Sequence, residues 1–234
     1  MPIDYLHSPL GDLARDIPGA TRVFHDFRLD FCCNGHRTLA EAARLKHLDP
    51  QQVVDSLHVL CSDADADRDW TRATPAELID HILRRFHARH REQLPELIRL
   101  ARRVEQVHGG RSDCPIGLAD HLADMLQELE SHMLKEEQIL FPMLARGMTA
   151  MAGGPISVMR YEHEQHGDAL EGVIALTNDI TPPAAACNTW QALYRGLEEL
   201  RRDLMEHIHL ENTVLFAAAL APPEPESPCC GACS

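Results

Sequence analysis

Aromatic side chains are scarce in this sequence, 5% of 234 residues, so a core must be filled by Leu, Ile, Val, Ala and Met, which a hydrophobic share of 44% allows. Basic residues are outnumbered, 22 Lys and Arg against 36 Asp and Glu, for a net charge of -14. That balance argues against a nucleic-acid backbone as main partner, which would demand a basic footprint. No apolar run reaches the roughly 18 residues of a membrane span. No early basic segment leads into an apolar run, so no signal peptide is read. The expectation is a soluble cytoplasmic protein, monomer or homodimer, with no nucleic-acid or membrane partner and with its cysteines reduced. The eight cysteines fit this: Cys32-Cys33 and Cys229-Cys230-Cys233 are clustered and Cys61, Cys114 and Cys187 are single, unlike a disulfide framework.

Sustained apolar/polar alternation is also missing, and the helix period dominates. Residues 1–62 read as a small unit of short helices. Thr38 with Glu41 makes one capping box, and Asp49-Pro50 reads as an N-cap followed by proline at the first helical position. An acidic run opens a linker over 63–73. Thr74 with Glu77 is a second capping box and starts a long helix ending near His108, with a kink expected at Pro95. Three more long helices follow, at about 115–146, 155–178 and 185–220. The fold class is therefore all-α, an antiparallel four-helix bundle over 74–220 behind the small helical unit. Residues 221–234, rich in Pro and Cys, read as a disordered tail.

What the chain has in excess is histidine, fifteen copies, and position separates them. The second long helix carries the stripe Leu118, Leu122, Met125, Leu129, His132, Glu136, Leu140, Met143, with steps of three or four throughout. The fourth repeats it with Leu193, Leu197, Leu200, Leu204, His207, Glu211, Leu215. A buried carboxylate is costly unless paired, and a cation removes the cost. Residues at i and i+4 stand one above the other, so each His/Glu pair can converge on one site. The first and third helices each add two histidines near the inner face, His87 with His90 and His163 with His166. Spacing does not choose within these pairs; the other of each supports its neighbour from behind or stands in for it. A rise of about 1.5 Å per residue permits all four helices to share one layer. Nitrogen and carboxylate ligands without cysteine suit iron, manganese or zinc.

The remaining histidines read more plainly. His108 lies at a helix end, where a cation is ordinary, and His7, His25, His36, His47, His58, His81, His121 and His209 read as surface or packing. Met125, Met133, Met143 and Met159 read as core filler. Cys32-Cys33, followed by Asn34-Gly35, is a vicinal pair at a turn, either packing or a redox or metal-transfer thiol pair. The tail cysteines are either inert or transient metal ligands.

These residues resemble the iron–sulfur cluster repair di-iron proteins, the repair-of-iron-centres family. The likeness is carried by DFCCNG (30–35), HREQLPEL (90–97), SHMLKEEQILFPM (131–143), GPISVM (154–159), the EH at 162–163 and HIHLEN (207–212). It also extends to the nitric-oxide-binding members of denitrifying bacteria. The resemblance implies a hemerythrin-like bundle with two Fe ions, His87, His132, His163 and His207 as terminal ligands, and Glu136 and Glu211 as bridging carboxylates beside an oxo or hydroxo bridge. It implies a role in nitrosative and oxidative stress, with nitric oxide and damaged iron–sulfur proteins as partners. A nitric oxide sink or reductase, and an oxygen carrier or sensor, are the competing readings. The Cys-rich tail and His166 are not part of the family pattern.

Overall fold

The computed structural model describes residues 4–17, 19–60 and 69–221. The linker expected over 63–73 falls largely outside these residues, as do the tail from 222 onward, Cys61 and the tail cysteines. Among the described residues there is no β-strand, only an isolated bridge between Pro9 and Thr38. No helix among them is long and apolar enough to cross a membrane.

Four short helices come first: α1 (Leu10–Asp16), α2 (Ala20–Asp26), α3 (Leu39–Leu45) and α4 (Pro50–Leu60). Both arms of the Thr38/Glu41 capping box form, and Asp49 Oδ1 accepts from the Gln51 N–H at the start of α4. These helices bury Leu10, Leu13, Phe24, Phe31, Leu39 and Leu57 in one core with bundle residues such as Leu122, Leu197 and Leu204.

The bundle follows. Its first helix is α5 (Pro75–Ile82), a π-helical turn (Leu83–His87) and α6 (Ala88–His108), opened by the complete Thr74/Glu77 capping box. The second is α7 (Leu118–Lys135), a π turn (Glu136–Leu140) and α8 (Phe141–Ala145). The third is α9 (Gly153–Leu176), without a π turn. The fourth is α10 (Asn188–His209), a π turn (Leu210–Leu215) and α11 (Phe216–Leu220). The second helix starts at Leu118 rather than Pro115 because Gly117 takes φ 90°, a left-handed conformation that glycine adopts without strain. Helix α6 continues through Pro95, and the first helix also carries a π turn at Leu83–His87.

A π turn holds about one residue more than an α turn, so it shifts the buried face of everything after it. Met143, placed on the inner stripe by period alone, is only half-buried, while Phe141 and Leu144 are buried. The three π turns lie at one level of the bundle. Above it sits the large core shared with α1–α4. Below it sits a second core of Ile79, Ile82, Phe141, Leu144, Ile156 and Phe216. Between the two lies a polar layer.

Candidate metal centre

That layer is built from the residues the sequence placed inside. His87, His132, His163, His207, Glu136 and Glu211 are each 0–1% exposed. Glu136 Oε2 lies 3.4 Å from His87 Nε2 and Glu136 Oε1 lies 3.4 Å from His132 Nε2. Glu211 Oε1 lies 3.1 Å from His207 Nε2 and Glu211 Oε2 lies 3.0 Å from His163 Nε2. Each carboxylate therefore gives one oxygen to each of two half-sites. His87, His207, Glu136 and Glu211 form one and His132, His163, Glu136 and Glu211 the other, with the donor atoms of each within 4.8 Å of one another. The histidines are private to a half-site and the carboxylates are shared.

The contacts inside the layer suit a cation better than hydrogen bonds. Two imidazole nitrogens face each other in each half-site, His87 Nε2 to His207 Nε2 at 3.2 Å and His132 Nε2 to His163 Nε2 at 3.0 Å. Both Glu136 oxygens and Glu211 Oε2 are buried without a hydrogen bond of acceptable geometry. Orphaned carboxylate oxygens in a dry core are expensive, and a metal ion in each half-site would satisfy all of them. The donor set of nitrogens and carboxylates fits a first-row transition metal.

Comparison with known proteins bears on the same stretch. The Hemerythrin HHE cation binding domain matches residues 78–219, and a Domain of Unknown function (DUF542) matches residues 6–60. The Iron-sulfur cluster repair protein YtfE of Dickeya chrysanthemi is 52% identical over 216 residues, covering 92% of this chain and 98% of that protein. The protein of that name from Escherichia coli O157:H7 is 51% identical over 217 residues, 93% of this chain and 98% of its own length. A Probable iron-sulfur cluster repair protein of Haemophilus influenzae is 50% identical over 220 residues, 93% and 99% of the two chains. The chain belongs to the iron–sulfur cluster repair protein family. Its bundle is hemerythrin-like.

In this member of the repair-protein family an outer ring orients the inner one. His87 Nδ1 donates to Glu137 Oε1 at 2.8 Å, His132 Nδ1 to Glu162 Oε2 at 2.9 Å, and His163 Nδ1 to Asn212 Oδ1 at 3.0 Å. Carboxylate and amide oxygens only accept here, so each bond fixes a proton on Nδ1 and turns Nε2 toward the layer. Arg91 holds Glu137 at 2.8 Å, and Lys135 pairs with Glu162. Each orienting residue sits beside an inner-layer residue on the next helix along the chain. His207 breaks the series: its Nδ1 has no partner among the described residues, and Phe86 stacks on its ring, centroids 5.4 Å apart. Phe216 stacks likewise on His163 and Phe141 on His87.

Charge in the metal-free layer follows from these contacts. Burial works against an imidazolium at His132, but the Glu136 carboxylate outweighs it and lifts the group to about 9. His87 is raised by the same contest, burial against Glu136 and its neighbours. At His207 burial wins and the ring is pushed down. Burial pulls both glutamic acids up, and the imidazoles around them hold Glu136 below and Glu211 well below the ordinary range.

His90 and His166 are buried next to the layer, their rings 5.3 Å from His207 and 4.9 Å from His132, but neither joins a half-site. His108 is elsewhere, its ring tilted against Trp190 with centroids 5.0 Å apart and its Nε2 3.3 Å from Cys187 Sγ. His209 is 2% exposed and packs edge-on against Phe31, a packing role. Cys32 and Cys33 are free thiols 3.4 Å apart, and Cys33 Sγ lies 3.4 Å from the His163 carbonyl oxygen. Glu137, Glu162 and Asn212 were not singled out from sequence. Their only signal was adjacency, in the dipeptides Glu136-Glu137, Glu162-His163 and Glu211-Asn212. Asn212→Ala is expected to weaken metal binding roughly 10- to 100-fold with the helices intact. Competition with a chromophoric chelator measures it, and unchanged affinity would remove Asn212 from the orienting ring.

Proposed function

We propose that this chain binds two iron ions, one in each half-site, and releases iron to rebuild damaged iron–sulfur clusters under nitrosative and oxidative stress. The observation that supports it best is the pair of carboxylates shared between two histidine pairs. In this reading His87 and His207 would hold one ion, His132 and His163 the other, and Glu136 and Glu211 would be shared by both. The bound pair supplies Lewis-acid and one-electron chemistry. The protein's own part is to keep Nε2 of His87, His132 and His163 aimed inward through Glu137, Glu162 and Asn212, and to hold water away with Phe86, Phe141 and Phe216. The small helical unit bearing Cys32-Cys33 and the bundle are two domains in this reading. Recovery of a cluster enzyme after nitric oxide stress tests it. A strain carrying only the His132→Ala, His207→Ala chain should fail to recover, and recovery at the normal rate would end the proposal.

Nitric oxide binding is part of the same reading. Two adjacent ions walled by phenyl rings suit a small, weakly polar diatomic molecule. Anaerobic titration of the reduced, iron-loaded chain with nitric oxide should give iron–nitrosyl absorption bands. Evolution of nitrous oxide under turnover would make the chain a reductase rather than a sink.

A further inference from the structure

The described residues carry a second cluster of metal-ligating side chains, outside the His/Glu layer. Asp30, Cys32 and Cys33 bring a carboxylate oxygen and two sulfurs within 4.8 Å of one another. The two sulfurs are 3.4 Å apart. Two thiolates on one tetrahedral cation with metal–sulfur bonds of about 2.3 Å stand roughly 3.7 Å apart, so little movement would close the site. The carboxylate is preset. Its Oδ1 accepts the Cys33 N–H at 2.9 Å and its Oδ2 accepts from Asn34 Nδ2 at 2.6 Å.

The fold goes to some length to place this loop. A Cβ at Gly35 would meet the Phe31 carbonyl oxygen at 2.4 Å, and the Gly35 carbonyl accepts from the Gly11 N–H at 2.8 Å, pinning the loop to α1. A Cβ at Gly167 on α9 would sit 2.7 Å from Cys33 Sγ. Gly167 is thus the notch that receives Cys33 and lets its sulfur reach the His163 carbonyl. A cavity lined by Arg28, Lys46, Arg201 and Met205 opens onto the pair.

We propose that Asp30, Cys32 and Cys33 form an open three-ligand site for a thiophilic divalent cation, distinct from the His/Glu layer and joined to it through the backbone of His163. Three protein donors leave a fourth tetrahedral position facing the cavity, the arrangement of an exchange site rather than a structural one. Two thiolates and a carboxylate around a divalent ion leave one net negative charge; Lys46 lines the same cavity, while Arg28 and Arg201 are already paired with Asp179 and Glu198. Use of this site as the exit for iron rests on the function proposed above; its existence does not.

The test is an anaerobic Co2+ titration of the full chain, with Cys61, Cys187, Cys229, Cys230 and Cys233 replaced by serine. Thiolate-bound Co2+ gives a near-ultraviolet charge-transfer band that nitrogen and carboxylate ligands do not give. One such ion per chain is expected. Cys32→Ser and Cys33→Ser should each abolish tight binding. Asp30→Asn and Gly167→Ala should each weaken it roughly ten-fold or more. Far-ultraviolet circular dichroism checks that the variants keep their helices. A His132→Ala, His207→Ala chain should keep the band, which separates failure of this site from failure of the bundle centre. No band, or a band that survives in the Cys32→Ser, Cys33→Ser double variant, overturns the proposal.

Discussion

Replacing Glu136 or Glu211 by alanine is expected to strip both of the proposed metal ions from the chain, whereas replacing His87 or His132 is expected to strip only one. The asymmetry follows from the sharing pattern. Each carboxylate places one oxygen 3.0–3.4 Å from a histidine of each half-site. Losing one leaves both half-sites with three donors, and it removes half of the negative charge that screens two adjacent dications from each other. Losing His87 leaves His132, His163 and both carboxylates in place. Elemental analysis should find fewer than one metal per chain for Glu136→Ala and Glu211→Ala and about one for His87→Ala and His132→Ala. Equal losses from all four variants would mean that the carboxylates do not bridge. Stability should follow occupancy. A ligand at about 1,000 times its dissociation constant adds roughly 4 kcal/mol, and each kcal/mol moves the melting temperature of a chain this size by about 2–4 °C. Removal of one ion should therefore lower it by roughly 10 °C.

The second large effect is a pH dependence. In the metal-free layer His132 is lifted to about 9, and His87 is raised as well. Each must give up its Nε2 proton to bind metal. Below about pH 9, affinity should therefore climb about tenfold per pH unit for each such proton. The fold responds with the opposite sign. A histidine whose folded value exceeds its unfolded value of about 6.5 contributes stability that is full below that pH and is lost as pH rises through the folded value. Glu136 and Glu211, held below the ordinary carboxylate range, stay ionised throughout this window, and His207, pushed down, stays neutral. The metal-free chain should thus lose stability from about pH 6.5 to 9, while the metal-bound chain, whose ligand histidines carry no Nε2 proton to lose, should stay level over that window. Melting curves of loaded and chelator-stripped protein at fixed metal concentration measure the gap, which should widen with pH. A constant or narrowing gap would show that His132 is not protonated in the free site.

Much of this architecture was legible in the residues. The stripes carried His132, Glu136, His207 and Glu211 onto the inner face because burying a carboxylate twice at the same spacing has few explanations besides a cation. Capping boxes marked α3 and α5 because their hydrogen bonds are local. The choice between His87 and His90, or His163 and His166, was not legible from spacing and came only with the family resemblance. Both members of each pair are buried, and which one points into a half-site depends on how the four helices are rotated about their axes. Period alone also misplaced Met143, because a constant 3.6-residue repeat fails across a π turn. The orienting ring of Glu137, Glu162 and Asn212 was invisible for a related reason: each acts on a histidine of another helix, and no single-helix pattern encodes that.

The polar layer has a mechanical meaning as well. It cuts the bundle's interior into two apolar bodies, and three of the four helices change their winding where they cross it. Wider turns with fewer favourable contacts are where a helix is softest, so the plane of the metal donors is also a fault plane. Without a cation, the lower body of α5, α8 and α11 is tied to the upper one by the connecting backbone, by α9, which runs unbroken through the layer, and by the packing of α1 on Leu210–Leu215. A pair of ions bound across four helices would act as rivets through that plane. Taking them out would let the lower body breathe as a unit, and the breathing would open the path by which the next ion comes in.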